Sequence, residues 1–401
     1  MPGNNSGNNS GKMDQPVLIA GGGIGGCAAA LALSLKGYAS VIMEQAEEFG
    51  EIGAGIQLGP NVHKMFIRLG IEEAIKGVAF YPNNIFMNDG ITGERITQVD
   101  TGEKFRERFG APYGVIHRAD LLDVLLDACR ASDLIEMHTS TEVIDYEETG
   151  GLVKAITKDG RSFDGAAMIA ADGLWSNIRP KIVGDGDPRV SGHIAYRAVL
   201  PIDEVPEIVK NDDVVLWGGP KFHIVHYKLR RGELFNIVAV FHSDRYEEGW
   251  DAFGDPEELR DRFKDARPEV QALLDKIDAW KMWVLCDREP VKIWSKGKVT
   301  LLGDAAHPML QYLAAGAGMA IEDSVVLADL LEKNDSDIEK TFIDYQDARY
   351  LRTGRVQTMA RIYGEIYHAG NVVGELRTQM LKDRDPQNYE GVAWLYDGIQ
   401  Q

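Results

Sequence analysis

The sequence predicts an α/β fold with a second, β-rich domain inserted into it, and three observations lead to this prediction. A βαβ pattern opens the chain between residues 16 and 44. Runs with the two-residue alternation of antiparallel strands fill the middle, roughly residues 191–287. A strand followed by a helix then returns after Lys298. Both ends of the chain therefore belong to one α/β domain, and the middle belongs to another.

Length and charge limit the classes of function. The chain has 401 residues and a net charge of −19 with histidine neutral. This length suits one large domain or two. A chain this acidic has no general attraction to phosphate backbones or anionic membrane surfaces, so we do not expect nucleic acid as a partner.

Cysteine usage and the N-terminus indicate a cytoplasmic protein. Cys27, Cys129 and Cys286 are odd in number and far apart, unlike the paired cysteines of a secreted disulfide scaffold. The polar run at residues 1–13 lacks an apolar core, so we expect a disordered leader and not a signal peptide. The long apolar stretch at residues 17–43 is broken by glycines, so we expect no membrane span.

The first βαβ unit begins with an apolar strand at residues 16–20. Five glycines within six positions follow and lead into an alanine-rich helix at residues 27–36. A second apolar run, residues 39–43, ends at Glu44. A strand, a glycine turn, a helix and a strand within about 30 residues are typical of a nucleotide-binding domain.

The later segments alternate between the two periodicities. We expect helices at residues 61–69, 118–129, 316–332 and 338–368, and strands at residues 151–156, 166–171, 214–217, 222–229, 234–241 and 298–303. The predicted division is a leader (1–13), an α/β domain (14–190 and 287–335), an inserted β-rich domain (191–286) and a C-terminal helical region (336–401).

Gly21, Gly23 and Gly26 form the G-x-G-x-x-G motif after a strand and at the start of a helix, which is the context that dinucleotide binding requires. The first glycine permits the tight turn, the second lets the backbone approach a pyrophosphate, and the third lets the helix pack closely on the sheet. Phosphates bind at the helix N-terminus, where free N–H groups favour negative charge. Glu44 is placed to accept hydrogen bonds from an adenosine ribose. This motif alone does not distinguish FAD from NAD.

Two later motifs make that distinction, and with them the chain resembles the single-component flavoprotein aromatic hydroxylases, the group A flavoprotein monooxygenases. Residues 170–179 (AADGLWSNIR) look like the D-G motif of that family, and residues 302–308 (LGDAAHP) look like its G-D motif. The resemblance implies FAD as cofactor, with Asp304 contacting ribityl or diphosphate oxygens and Asp172 near the nucleotide. Arg118 matches the family arginine that reaches the FAD phosphate or ribityl region.

We assign five further residues to the cofactor site: Ile24, Gly25, Gly55, Gly316 and Ala317. The resemblance implies a Rossmann-like FAD-binding domain with an inserted substrate domain, in the p-hydroxybenzoate hydroxylase-like arrangement. It also implies that NADH or NADPH binds transiently to reduce FAD, and that O2 then gives a C4a-hydroperoxyflavin that attacks an electron-rich ring. The histidines and cysteines show no metal-ligand spacing, so we expect no metal.

Within the family, the chain resembles most the enzymes that convert 3-hydroxybenzoate to 2,5-dihydroxybenzoate (gentisate). The similarity lies in residues 218–227 (GGPKFHIVHY), 287–290 (DREP) and 308–317 (PMLQYLAAGA). In salicylate hydroxylases the loop after the G-D motif typically carries a proline-histidine-glutamine run, which differs from the Leu-Gln-Tyr at residues 310–312. The resemblance therefore implies a small aromatic acid as the substrate.

His223, Tyr227 and Gln311 match, by position, residues that contact substrate in the 3-hydroxybenzoate enzymes. A phenol directs electrophilic attack most strongly when it is deprotonated, so the site needs a base or a strong acceptor at the phenolic oxygen. His223 alternates with Val225 and Tyr227 along a predicted strand, so these three side chains share one face. We assign His223 as the base or acceptor. Gln311 would bond the phenolic oxygen from the flavin side, and Tyr227 would orient the ring or its carboxylate.

Three other histidines, His193, His226 and His307, are expected to be structural. Several readings of function stay open: the same chemistry on 6-hydroxynicotinate or salicylate, an FAD oxidase or dehydrogenase that inserts no oxygen, and a nucleotide-binding protein without catalysis. The long C-terminal helix offers a surface for a homodimer.

Overall fold

The structure is a computed structural model that describes residues 12–50, 53–243, 254–277 and 280–399. The strands are β1 (Val17–Ala20), β2 (Ser40–Met43), β3 (Gly55–Leu58), β4 (Asn84–Asp89), β5 (Arg95–Asp100), β6 (Gly114–His117), β7 (Ile135–His138), β8 (Val143–Thr149), β9 (Leu152–Thr157), β10 (Ser162–Gly165), β11 (Ala167–Ala170), β12 (Arg189–Pro201), β13 (Val214–Gly219), β14 (Phe222–Leu229), β15 (Leu234–His242), β16 (Lys281–Asp287), β17 (Ser295–Lys296) and β18 (Val299–Leu301). The α-helices are α1 (Ile24–Leu35), α2 (Pro60–Arg68), α3 (Glu72–Val78), α4 (Glu103–Phe109), α5 (Arg118–Arg130), α6 (Arg179–Ile182), α7 (Pro256–Arg262), α8 (Pro268–Leu274), α9 (Gly316–Lys333), α10 (Ile338–Tyr367), α11 (Asn371–Leu381) and α12 (Glu390–Tyr396).

The α/β part is built on a six-stranded sheet in the order β17-β18-β11-β1-β2-β7. Its central strands pair in parallel, β1 with both β2 and β11. All four residues of β1 are buried, as expected for a parallel strand that is covered on both faces. Gly26 allows α1 to pack closely on this sheet, because a Cβ at that position would lie 2.0 Å from the carbonyl oxygen of Gly21. The predicted α/β fold is confirmed.

A seven-stranded sheet forms the second layer, in the order β16-β12-β15-β14-β13-β4-β5. Its pairs are antiparallel except for β4 with β13, which are parallel. The predicted strands of the middle segment lie here, and β14 has the predicted bounds. The sheet also takes β4 and β5 from before residue 190, where the sequence predicted only α/β structure, because β4 pairs with a strand distant in the chain. The predicted domain limits themselves stay a prediction.

The middle segment also contains α7 and α8, which the strand-like sequence pattern did not predict. Their buried residues, among them Leu259 and Leu273, pack with Phe241 of β15 on one face of the seven-stranded sheet. Each of the two helices has Pro at its start. These short helices therefore cover the sheet face opposite to the one that carries His223 and Tyr227 of β14.

The 30-residue helix α10 connects the two layers. Near its start, Phe342 and Tyr345 belong to the core of the α/β part. Near its end, Ala360 packs with Val238 and Val240 of β15. Both layers are thus fixed relative to one another by a single continuous helix. None of the helices in the described ranges has the length and apolar character needed to cross a bilayer.

Of the predicted leader, residues 1–11 lie outside the described residues. Lys12, which the sequence analysis placed in the leader, donates a backbone hydrogen bond to Gly37 and forms an ion pair with Glu332 at 3.1 Å. Lys12 therefore contacts the segment after α1 and also α9, and the predicted extent of the leader stays a prediction.

Candidate active site

A cavity of about 840 Å³ lies between the two sheets, lined by residues of β1 and α1 on one side and of β13 and β14 on the other. The start of α9, the later part of α10 and the last helix, α12, complete its wall. Its volume is in the range of ligand-binding cavities. Residues from distant parts of the chain meet here, so it is the candidate active site.

One end of the cavity collects the residues assigned to the cofactor. Eleven of the twelve line it: Gly21, Gly23, Ile24, Gly25, Glu44, Gly55, Arg118, Asp172, Asp304, Gly316 and Ala317. The exception is Gly26, which packs beneath α1 against Gly21. The motifs converge because they follow the carboxyl ends of neighbouring parallel strands, which meet at one edge of the sheet.

This end has the features that a dinucleotide requires. Helix α1 begins after Gly23, and no side chain of the described residues caps its first N–H groups, which leaves them for a phosphate. Gly21 has φ of 101°, and a Cβ there would lie 2.4 Å from the carbonyl oxygen of Ala171. Glu44 accepts hydrogen bonds from the backbone N–H groups of Gly22 at 2.7 Å and Ala46 at 2.9 Å, which directs its carboxylate to the glycine turn.

Two aspartates, Asp172 and Asp304, also line this end of the cavity. Asp172 accepts from the backbone N–H groups of Asn177 and Ile178 through Oδ2, while its buried Oδ1 has no partner in the described structure. Burial raises the pKa of Asp172. Asp304 is exposed to the cavity, and the surrounding protein raises its pKa as well, although His307 and Arg118 oppose that shift. An unpartnered buried carboxylate oxygen is costly unless a ligand donates to it. The site residues thus fit FAD.

The other end of the cavity brings together the three residues assigned to the substrate. His223 and Tyr227 lie on one face of β14, and Gln311 lies in a short 3-10 turn, Gln311–Leu313, before α9. The two ends are contiguous, because a Cβ at Gly55 would lie 2.7 Å from a ring carbon of Tyr227. A ring bound beside His223 would therefore lie next to the cofactor end.

His223 is a neutral acceptor in this setting. It is buried, and its Nδ1 lies 2.8 Å from Nε2 of His368. Burial, with a smaller effect from His193, lowers the pKa of His223 to about 3. Because Nδ1 is engaged, Nε2 is the ring nitrogen available to a ligand in the cavity.

Arg197 of β12 also lines the cavity, although the sequence pattern did not identify it as a site residue. Its Nη2 donates to Oε1 of Gln311, its guanidinium lies 5.1 Å from the ring centre of Trp283, and its Nε has no partner in the described structure. Burial lowers its pKa to about 10, so it stays charged at neutral pH. One sequence feature could have revealed Arg197: it is a charged residue that alternates with Ala195 and Val199 in an otherwise apolar strand.

The three histidines predicted to be structural, His193, His226 and His307, differ in their partners. His226 accepts from the indole N–H of Trp217 at 3.1 Å, and His307 bonds Asp323 at 2.6 Å; neither lines the cavity. His193 lies instead beside His368 and His242, with its Nδ1 2.5 Å from the hydroxyl of Tyr312. Sequence spacing could not reveal this second group, because its members come from β12, β15 and the end of α10.

Comparison with known proteins agrees with this geometry. Residues 14–339 match the family described as FAD binding domain. The chain is 44% identical over 386 residues to 3-hydroxybenzoate 6-hydroxylase 1 of Aquipseudomonas alcaligenes, covering 96% of this chain and 98% of that protein. It is 45% identical over 384 residues to 3-hydroxybenzoate 6-hydroxylase of Polaromonas naphthalenivorans, covering 96% of each. Klebsiella pneumoniae HpxO, solved with FAD and uric acid, superposes with a TM-score of 0.85 at 25% identity, covering 97% of this chain and 98% of that one.

Proposed function

Since the chain belongs to the FAD-binding-domain family of flavoprotein aromatic monooxygenases, we propose that it hydroxylates 3-hydroxybenzoate para to its hydroxyl group, with NADH as reductant and gentisate as product. The observation that supports this choice of substrate is that His223 and Arg197 line the same cavity. The first suits a phenol and the second a carboxylate, and 3-hydroxybenzoate carries both groups.

The phenol would be activated by His223. A neutral imidazole accepts a strong hydrogen bond from the phenol, and the lowered pKa of His223 keeps it neutral throughout the physiological range. The same low pKa means that His223 does not hold the phenolic proton as imidazolium and must pass a proton on from its other ring nitrogen. Withdrawing the phenolic proton raises the electron density of the ring at the para position. Bound FAD, once reduced, supplies the chemistry that activates O2 and delivers one oxygen atom to the ring.

The carboxylate would be bound by Arg197. Its charged guanidinium lines the cavity, and charge-assisted bonds between arginine and carboxylate are strong and directional. Gln311 holds the guanidinium from one side through its Oε1, so its amide N–H groups are left to donate to the substrate. With Arg197 at the carboxylate, Tyr227 is not needed to bind that group. Burial raises the pKa of Tyr227 and keeps it protonated, and we assign it to packing against the substrate ring.

The test is a substrate screen with purified holoenzyme. Each ring (3-hydroxybenzoate, salicylate, 6-hydroxynicotinate, and 3-cresol as a phenol without a carboxylate) is mixed with NADH or NADPH, and products are identified by chromatography. We expect gentisate from 3-hydroxybenzoate and poor turnover of 3-cresol, because 3-cresol leaves Arg197 without an anion. Formation of product from another ring but no gentisate would contradict the proposal.

A further inference from the structure

Behind His223, a line of histidines leads away from the cavity. His223 of β14 is followed by His368, the first residue after α10, and then by His242 at the end of β15. His223 and His368 are buried, while His242 is only partly buried. The line therefore runs from the cavity wall to the protein surface.

Both hydrogen bonds along this line join Nδ1 of one ring to Nε2 of the next. Nδ1 of His223 lies 2.8 Å from Nε2 of His368, and Nδ1 of His368 lies 3.1 Å from Nε2 of His242. Each ring can therefore donate from Nδ1 to Nε2 of the next ring. This arrangement leaves Nε2 of His223 as an acceptor at the cavity and Nδ1 of His242 as a donor at the outer end.

The backbone fixes the spacing of the three rings. The backbone N–H of Lys221 donates to the carbonyl of His368 at 3.0 Å, and that of His242 donates to the carbonyl of Lys221 at 3.0 Å. These bonds tie the end of α10 to β14 and β15. The middle ring is thus held between the other two by main-chain contacts independent of its side chain.

We propose that His223, His368 and His242 form a proton relay that carries the phenolic proton of the bound substrate from the cavity to solvent. This inference rests on the proposed function. His223 is the catalytic residue of the relay because it faces the substrate, and the other two pass the proton on.

The transfer balances without any redox change. The phenol O–H bond breaks, its electron pair stays on oxygen, and an N–H bond forms at Nε2 of His223. Nδ1 of His223 then gives its proton to Nε2 of His368, Nδ1 of His368 gives its proton to Nε2 of His242, and Nδ1 of His242 releases a proton to water. Every ring ends neutral in its other tautomer, and the reverse transfer restores the first tautomers when the product leaves as a phenol.

The proton is passed by exchange between neutral tautomers because burial disfavours the charged imidazolium form of all three histidines. Burial lowers the pKa of all three histidines, most strongly that of His368, whose ring is also beside the other histidines. At the outer end, Glu365 favours a positive charge on His242, while Lys221 and Arg262 oppose it. A relay whose rings stay neutral avoids the free-energy cost of burying an unpaired charge.

A metal ion is the competing use of the same rings. His193, His242 and His368 each offer a nitrogen within 4.8 Å of the others, which is close enough for one ion after a small adjustment. However, Nδ1 of His193 already bonds Tyr312, and both ring nitrogens of His368 take part in the relay bonds. Bound metal would occupy the nitrogens that the relay needs, so the two uses exclude one another.

The relay predicts that substrate binding releases a proton, and that the release depends on His368. Oxidised holoenzyme in weak buffer is mixed with 3-hydroxybenzoate in a stopped-flow instrument, with a pH-indicator dye for the proton and ultraviolet absorbance for the phenolate. In His368→Gln, the amide can still form hydrogen bonds but cannot exchange a proton between two ring nitrogens. We expect proton release to slow at least tenfold, while FAD content and the Kd of benzoate, which has no phenol, stay unchanged.

Two further variants separate the relay from a structural effect. His368→Ala should lose the same step and recover it with added imidazole, which can occupy the space of the missing ring. His226→Gln is the matched control: a buried histidine of the same strand, outside the relay and the cavity wall, whose replacement should leave proton release at the wild-type rate. Circular dichroism and FAD absorbance establish that each variant is folded.

Proton release at the wild-type rate in His368→Gln would overturn the relay, as would one equivalent of zinc or copper retained by the dialysed holoenzyme. Wild-type protein that makes gentisate without releasing a proton on binding would overturn the relay and leave the proposed function intact. Wild-type protein that neither binds nor hydroxylates 3-hydroxybenzoate would contradict the proposed function, and the relay is then tested with the phenol that the screen identifies.

Discussion

Two buried polar clusters lie near the cavity, and they differ in whether their buried polar groups are charged or neutral. The ion network, under the G-D turn, consists of Glu322 and Asp323 of α9, Arg349 and Arg352 of α10, and His307. The histidine cluster, beside the seven-stranded sheet, consists of His193, His223, His242 and His368. The first cluster is built around carboxylates paired with guanidinium groups, and the second consists of neutral rings.

The ion network holds the backbone of the cofactor site. Asp323 accepts from the backbone N–H of Gly303 at 3.2 Å, from His307 at 2.6 Å and from Nε of Arg349 at 2.6 Å. Burial would raise the pKa of Asp323, but His307 and Arg349 outweigh it and lower the pKa to about 2. Each member is fixed by a charge, so the network is suited to support and not to proton exchange.

Within the described residues no ion pair of that kind joins the rings of the histidine cluster, and its members stay neutral because burial lowers their pKa values. Neutral rings can exchange protons without creating a buried ion. The difference between the clusters therefore separates a network that supports the cofactor end from a group of neutral rings that, in the proposed relay, exchanges protons at the substrate end.

Breaking the ion network should have the largest effect. Arg349→Met leaves Glu322 and Asp323 buried with too little positive charge, and removing one partner of a buried pair costs about 3–5 kcal/mol. We expect a loss of that size in the free energy of unfolding, measured with urea, together with loss of FAD. The matched control is Arg130→Met, whose ion pair with Asp127 is exposed and should contribute about 0–1 kcal/mol. An Arg349 variant as stable as this control would contradict the account.

Changing the histidine cluster should affect chemistry more than stability. We expect His223→Ala to keep FAD but to lower the rate of hydroxylation on the order of 10²–10⁴-fold, because a general base contributes about that much. Flavin reduction by NADH should fall far less, so the two rates are measured separately by product analysis and by flavin absorbance. Unchanged turnover would remove His223 from the role of base.

The smallest effect should appear in the pH dependence of stability. The pKa of His193 is about 4 and that of His223 about 3 in the folded protein, whereas an unfolded histidine has a pKa of 6.5. Between these values the unfolded chain binds more protons, so their contribution is complete above pH 6.5 and is lost as the pH falls toward 4. Asp323 contributes above pH 3.8 and loses its contribution only below that value.

Urea unfolding at pH 7, 6 and 5 measures this difference between the clusters. We expect the wild-type free energy of unfolding to fall over this range, and His223→Gln to reduce the slope by up to about 1.4 kcal/mol per pH unit, which is the effect of one proton. Equal slopes in the two proteins would show that His223 is not held neutral by the fold.

The cofactor end could be predicted from the sequence, because its signals are local. The glycine motif, Arg118, Asp172 and Asp304 each stand next to a strand or helix boundary that periodicity reveals. The glycine motif, Asp172 and Asp304 follow neighbouring parallel strands, whose ends meet at one sheet edge, whereas Arg118 follows β6 of a separate antiparallel pair. Accordingly, most of the helices and strands that the sequence predicts agree with the structure within about two residues, although α1 begins three residues earlier than predicted.

The substrate end could be predicted only in part. His223 and Tyr227 follow from alternation along one strand, but Arg197, His242 and His368 come from three other segments that only the tertiary fold brings together. The pairing of β4 with β13 is similarly non-local. The charge state of a histidine depends on its burial, and a single sequence does not reveal which histidines are buried side by side.

The measurement that tests the central claim most directly is the fate of labelled oxygen. Holoenzyme is supplied with 3-hydroxybenzoate, NADH and ¹⁸O₂, and the product is examined by mass spectrometry. A monooxygenase of the proposed specificity gives gentisate with one ¹⁸O atom, in the hydroxyl group para to the original one. NADH consumption without label in the ring, or label at another ring position, would contradict the account.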